Sequence, residues 1–189
     1  MSGSGQSAGC PFAGARSPPS TASAPPKPKL PGRGGTPIYY HSYLQLDKIL
    51  GAQDTMSGVA GVRDGKGAHD EHLFIVIHQT YELWFKQILH ELDDVVKIFS
   101  QESVDASEMG TVIHRLRRVT EIQRVLIDQL TVLETMTPLD FLDFRDYLFP
   151  ASGFQSVQFR KIENTLGLDS ERRLRYSGKS YCSYLKPEH

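Results

Sequence analysis

Two helix-spaced pairs hold the residues best suited to chemistry. Phe74 and His78 stand four residues apart, as do Phe141 and Arg145, so each pair shares one helix face, with Tyr81 near the first pair on the next turn. If the faces converge, they enclose a pocket with aromatic walls, one imidazole and one guanidinium. Such a pocket suits an aromatic amino acid: rings enclose the flat side chain, the guanidinium grips the carboxylate through two hydrogen bonds, and the imidazole meets a ring N–H. Each residue also has a plainer reading. A Phe on an apolar helix face is usually core. His78 lies among Ile75, Val76, Ile77 and Trp84, where a satisfied core histidine is the commoner outcome, and Arg145 has Asp140, Asp143 and Asp146 nearby for a surface ion pair. Spacing alone therefore gives a helical domain with room for a pocket.

Other chemistries find less support. The paired Glu-x-x-His of a ferritin-like di-iron site and the His-Glu-x-x-His of a zincin are both absent. His69-Asp70-Glu71-His72 sits at a helix start, where acids complement the dipole and imidazoles face solvent. The glycines between 58 and 67 match no phosphate-binding fingerprint and follow no strand. Cys10 and Cys182 form no C-x-x-C pair, which suggests neither a disulfide framework nor a zinc ribbon and fits a reducing compartment. No apolar run approaches the roughly 20 residues that span a bilayer, so a cytoplasmic protein without membrane contact is expected. The net charge of −1 conceals an acidic body, with 10 basic and 18 acidic residues between 37 and 159. That excess argues against nucleic acid as a partner, and Arg115, Arg117 and Arg118 read as a solvated helix face.

The elements that must position these residues are helical throughout, and the fold class expected is all-α: a helical bundle half-domain with long antiparallel helices. Residues 1–36, rich in Gly, Ser, Ala and Pro, read as a disordered tail, with the domain at 37–189. A short amphipathic helix through about Ala52 leads into the Gly-rich loop. The first long helix should start at Asp70 as N-cap and run to about Phe99, apolar on two faces in its first half. A second, from Asp105 with Glu108 as a capping box to about Met136, places Met109, Val112, Leu116, Val119, Leu126, Leu130 and Leu133 on a heptad seam. Thr137, Pro138 and Asp140 combine a cap, an N1 proline and a box residue for a third helix ending before Pro150. After the turn Ala151-Ser152-Gly153, a fourth begins, with Gly167 as its C-terminal glycine.

Three stretches now stand together: HDEHLFIVIHQTYELWFKQIL at 69–89, LETMTPLDFLDFR at 133–145 and PASGFQSVQFR at 150–160. In this order they resemble the motifs of the tryptophan 2,3-dioxygenase family, and the likeness runs from about Ile38 to the last residue. The resemblance implies a haem b (Fe2+) enzyme that converts L-tryptophan and O2 to N-formyl-L-kynurenine, the entry to kynurenine-pathway catabolism. It implies that His78 faces the indole N–H on the distal side of the haem, that Arg145 holds the substrate carboxylate, and that Phe74 and Phe141 enclose the indole. Some bacterial members carry a tyrosine where this chain has Phe141, so that hydrogen bond to the carboxylate is missing here. Ser152 and Gly153, with Phe74, match residues against the haem. Tyr40 and Tyr43 match a segment reaching into a neighbouring subunit, so a homo-oligomer, a tetramer in the complete protein, is implied.

The sequence given stops at His189, about midway through the family pattern, and the family's proximal haem histidine lies beyond it. The expectation is an incomplete chain that alone binds haem weakly or not at all and is inactive, with a non-catalytic truncated interaction module that associates with full-length subunits as the alternative. The reading frame past His189 separates these readings.

Overall fold

The computed structural model describes residues 38–60, 67–173, 178 and 180–185; the expected disordered tail lies outside the described residues, as does most of the Gly-rich loop. The chain divides into two units, Met1–Tyr40 and His41–His189. Of the first, Ile38, Tyr39 and Tyr40 are described, and all three are exposed.

Seven α-helices occur among the described residues: α1 Tyr40–Leu44, α2 Leu46–Leu50, α3 Met56–Val59, α4 His69–Phe99, α5 Ala106–Leu133, α6 Pro138–Leu142 and α7 Val157–Thr165. Short 3₁₀ turns fill much of the remainder, and no strand appears among the described residues. The helical class read from periodicity is therefore the observed one. The single helix expected before Ala52 is instead two, because Gln45 takes a left-handed conformation (φ 51°) that no α-helix can carry.

α4 and α5 form the frame. Their antiparallel packing joins Ile88, Leu92, Val119, Ile122 and Leu126 with Ile162 of α7 in one core, and Val95, Ile98 and Val112 in a second toward the connecting loop. Each such side chain contributes about 1.5–3 kcal/mol by leaving water. The buried stripe of α5 runs through Val112, Val119, Ile122 and Leu126, so the expected seam is rotated: Met109, Leu116 and Leu130 are exposed beside it. The reason is polar. Glu91 of α4 is buried at 1 % exposure and draws Arg118 (2.7 Å) and Arg115 (3.5 Å) of α5 across the interface, while Arg115 also reaches Asp94 at 2.9 Å. Two of the three arginines read as a solvated face are thus tied to a buried carboxylate.

Helix ends follow local chemistry more closely than periodicity. The Asp105 carboxylate accepts from the Ser107 and Glu108 amides, and the Glu108 carboxylate accepts from the Asp105 amide, the capping box in full. The Ser107 contact, with the Glu108 and Ser107 amides, holds the Asp105 carboxyl below its ordinary range. α5 ends at Leu133, three residues before Met136, where tight turns take over. α4 begins after Ala68 and not after Asp70; no side chain caps it, and Asp70 instead falls in the first turn.

Candidate active site

Phe74 and His78 project from one face of α4, as their spacing requires. The ring centroids lie 4.1 Å apart, and His78 Nδ1 is 2.7 Å from the Phe74 carbonyl oxygen. A carbonyl can only accept, so Nδ1 carries the proton and Nε2 of the neutral ring is left as an acceptor. His78 is exposed and borders three clefts, so it is not the enclosed core histidine of the plainer reading.

Phe141 and Arg145 come to the site by a different route from the one expected. α6 stops at Leu142 and a 3₁₀ turn, Arg145–Leu148, begins three residues later, so the two do not share a continuous helix face. Capping sets α6 in place. Thr137 accepts from the Asp140 amide, and Asp140 accepts from the Thr137 amide at 3.0 Å, around Pro138 at the first helical position. The break lets Phe144, fully buried, turn inward as the keystone between the pairs. It meets Phe74 edge-on at 5.5 Å and Phe141 at 5.3 Å, and Phe74 and Phe141 are themselves 5.8 Å apart. Periodicity did not single out Phe144. Among the described residues the Arg145 guanidinium has neither an ion-pair nor a hydrogen-bond partner, and the expected pairing with its aspartate neighbours does not form.

Two adjoining clefts meet at these groups. One, of about 430 Å³, is bordered by Phe74, His78, Ser152 and Gly153; the other, about 550 Å³, by Phe74, Phe141, Arg145 and Ser152. Leu148 and Ala151 line both, so His78 and Arg145 open on one continuous stretch of wall. Ser152 is held by a small capping box with Gln155, and its hydroxyl accepts from the Phe154 amide. Gly153 stands outside the left-handed region, and a Cβ there would meet nothing within 4 Å. Its missing side chain therefore leaves open cleft without relieving any clash.

A third cleft, about 290 Å³, lies on the other side of His78 between Tyr81, Phe85, Leu130, Leu133, Gly153 and Phe159. Its wall is mostly apolar surface, with His78, Glu82 and Ser156 on the rim. Leu130 and Leu133 belong to the helix seam expected from spacing, and no spacing signal marks Phe159. Gln158 was missed as well: its amide donates to the Glu82 carbonyl (2.9 Å) and carboxylate (2.7 Å), fastening α7 to α4 one turn beyond His78. Nothing in spacing marks that contact. Arg160 is buried among Phe154, Phe159 and Tyr181 with its charge on Glu163, which steadies the turn carrying Ser152 and Gly153. Tyr81 donates to the Leu126 carbonyl, and burial raises its phenol above the ordinary range, which keeps it a donor. Tyr43 is exposed on α1, as Tyr40 is. No helix among the described residues is long and apolar enough to cross a membrane.

The family profile of tryptophan 2,3-dioxygenase matches residues 29–188. Among curated relatives of that name, the chain is 54% identical over 149 residues to one from Alteromonas mediterranea, covering 79% of this chain and 40% of that protein. It is 56% identical to one from Anopheles gambiae (75% and 35%) and 52% identical to one from Dictyostelium discoideum (78% and 36%). The chain thus spans about two fifths of the length of the curated relatives it matches.

Proposed function

Since the chain belongs to the tryptophan 2,3-dioxygenase family, we propose that it forms the distal, substrate-facing wall of a site that converts L-tryptophan and O2 to N-formyl-L-kynurenine. The observation that carries this reading is the pairing of an oriented imidazole with an unpaired guanidinium along one wall. His78 Nε2 is an acceptor because Phe74 has claimed Nδ1–H, and an indole N–H needs such an acceptor. Arg145, without an internal partner, is free to take a carboxylate through two charge-assisted hydrogen bonds. Phe74 and Phe141 stand between them with their rings in direct contact at 5.8 Å, so together they offer a flat ring one aromatic wall. Phe141 carries no hydroxyl, so the carboxylate depends on Arg145 more heavily than in relatives with tyrosine there.

The residues present suit one face of haem b. The apolar cleft of Leu130, Leu133 and Phe159 offers a surface for a macrocycle, and Gly153, shared by the clefts on either side of His78, leaves space at its edge. Ser152, Gly153 and Phe74 would hold it from this side; when bound, ferrous haem supplies the activation of O2. The chain's own share is orientation. Fixing the indole and the carboxylate at two points lowers the entropy cost of reaction, and His78 positions the substrate N–H without acting as an essential base. Tyr40 and Tyr43 are proposed to close the site of a neighbouring copy in a homo-oligomer, consistent with their exposure.

Arg145→Ala in the haem-loaded protein should raise KM for L-tryptophan by roughly 10- to 100-fold, the value of a lost charge-assisted pair. Steady-state kinetics checks this, and an unchanged KM removes the carboxylate assignment. A second reading, a non-catalytic module that associates with other subunits, draws on the exposed apolar side chains Leu83, Trp84, Phe99, Ile113 and Ile127 of the long helices. The same kinetics separates the two, because a module outside the site would leave KM for L-tryptophan unmoved by Arg145→Ala.

A further inference from the structure

Resting on the carboxylate-binding reading of Arg145, we propose that Glu71 and Ser57 are positioning residues for that arginine, acting through α3. Both are fully buried, a rare place for a carboxylate, and among the described residues Glu71 has no cationic partner. Its charge is met by donors instead. The amides of Met56 (2.7 Å) and Ser57 (2.9 Å) and the Ser57 hydroxyl all donate to the Glu71 carboxylate. The Ser57 oxygen in turn accepts from the Ala68 amide at 2.8 Å.

This knot does a specific job at both ends. Thr55, the N-cap of α3, makes no side-chain cap, so the first amides of that short helix would be orphaned in a buried place; Glu71 satisfies them from outside. Ala68, the equally uncapped N-cap of α4, is satisfied by Ser57. Gly67, at φ +71°, lets the chain pass so close that a Cβ would lie 2.8 Å from the Gly58 nitrogen. α3 is therefore locked to the first turn of α4, one turn before Phe74. Its other neighbour is the 3₁₀ turn Arg145–Leu148, against which it packs. That turn is short, exposed and without a side-chain cap, so it holds little order of its own. Its position relative to Phe74 and His78 is set by the two elements it leans on, α6 and α3, and α3 is the one that the buried carboxylate fixes.

The test has two arms. In the chain as it stands, Ser57→Ala and the milder Glu71→Gln should speed hydrogen exchange at the Tyr147 and Ala151 amides, bonded to the Phe144 and Leu148 carbonyls, by roughly tenfold while α4 and α5 core amides keep their protection. Unchanged exchange at 145–151 overturns the proposal; a global loss in Ser57→Ala is separated from it by Glu71→Gln. In the haem-loaded protein the same variants should raise KM for L-tryptophan several-fold and leave KM for tryptamine, which lacks the carboxylate, unchanged. Equal effects on both substrates overturn the positioning role. If Arg145→Ala itself fails to separate the two substrates, the carboxylate assignment falls, and the exchange arm still decides whether the knot governs the turn.

Discussion

The two sides of this molecule are built by different means. Along α4 and α5, order comes from an apolar seam and one buried ion cluster spread over about four helical turns; around α6 and the two 3₁₀ turns that follow it, order comes from caps, one buried ring and hydrogen bonds that tie short segments to α4. The difference teaches where function can sit. A seam of many equivalent contacts tolerates no opening, whereas short segments pinned at a few points can present unsatisfied groups such as the Arg145 guanidinium and still hold them in register.

The contrast can be broken by asking whether each side responds as its construction demands. Leu92→Ala, in the middle of the seam at 2 % exposure, should cost about 2–5 kcal/mol in denaturant unfolding. A smaller loss would mean that the seam is not the frame. Glu91→Ala should cost about 3 kcal/mol, the low end for a broken buried pair, because the arginines left behind reach solvent. The same residue gives a pH test. Burial disfavours its charge, but hydrogen bonds from Arg118 and Gln87 and the charges of Arg118 and Arg115 outweigh burial and lower its pKa. A lowered folded-state pKa stabilises the protein above the ordinary carboxylate range, and that stability is lost as pH falls through the folded value. Urea midpoints between pH 7 and pH 3 should therefore fall less steeply in Glu91→Gln than in the parent.

On the site side, Thr137→Ala removes a cap and should cost about 1 kcal/mol. Its effect should appear first as faster exchange in α6, and a purely global response would erase the distinction drawn here. Arg124→Ala, losing only an exposed pair with Glu121, should change the unfolding free energy by less than about 0.5 kcal/mol.

What was legible in the sequence follows the same division. Periodicity reads a long seam well because many residues vote on one phase, and it erred only in rotation, since Glu91 pulls Arg115 and Arg118 inward where apolar spacing alone would have turned Leu116 and Leu130. The caps at Asp105 and Thr137 were readable because their chemistry is local. Spacing leaves the approach of Phe141 to Phe74 as a condition that the fold meets, and the i,i+4 argument for Arg145 fails where the helix gives way to a 3₁₀ turn. Glu71 with Ser57, and Gln158 with Glu82, are contacts across 14 and 76 residues, and no local pattern announces them. Motif likeness supplied the site roles that spacing left open.

His78 and Arg145 are proposed to address one flat ligand from a shared wall. A crystal structure of the haem-loaded protein with L-tryptophan tests it most directly. The indole nitrogen should lie within hydrogen-bond distance of His78 Nε2, with the carboxylate of the same tryptophan on the Arg145 guanidinium. A bound tryptophan whose carboxylate is held elsewhere, with Arg145 facing solvent, would contradict it.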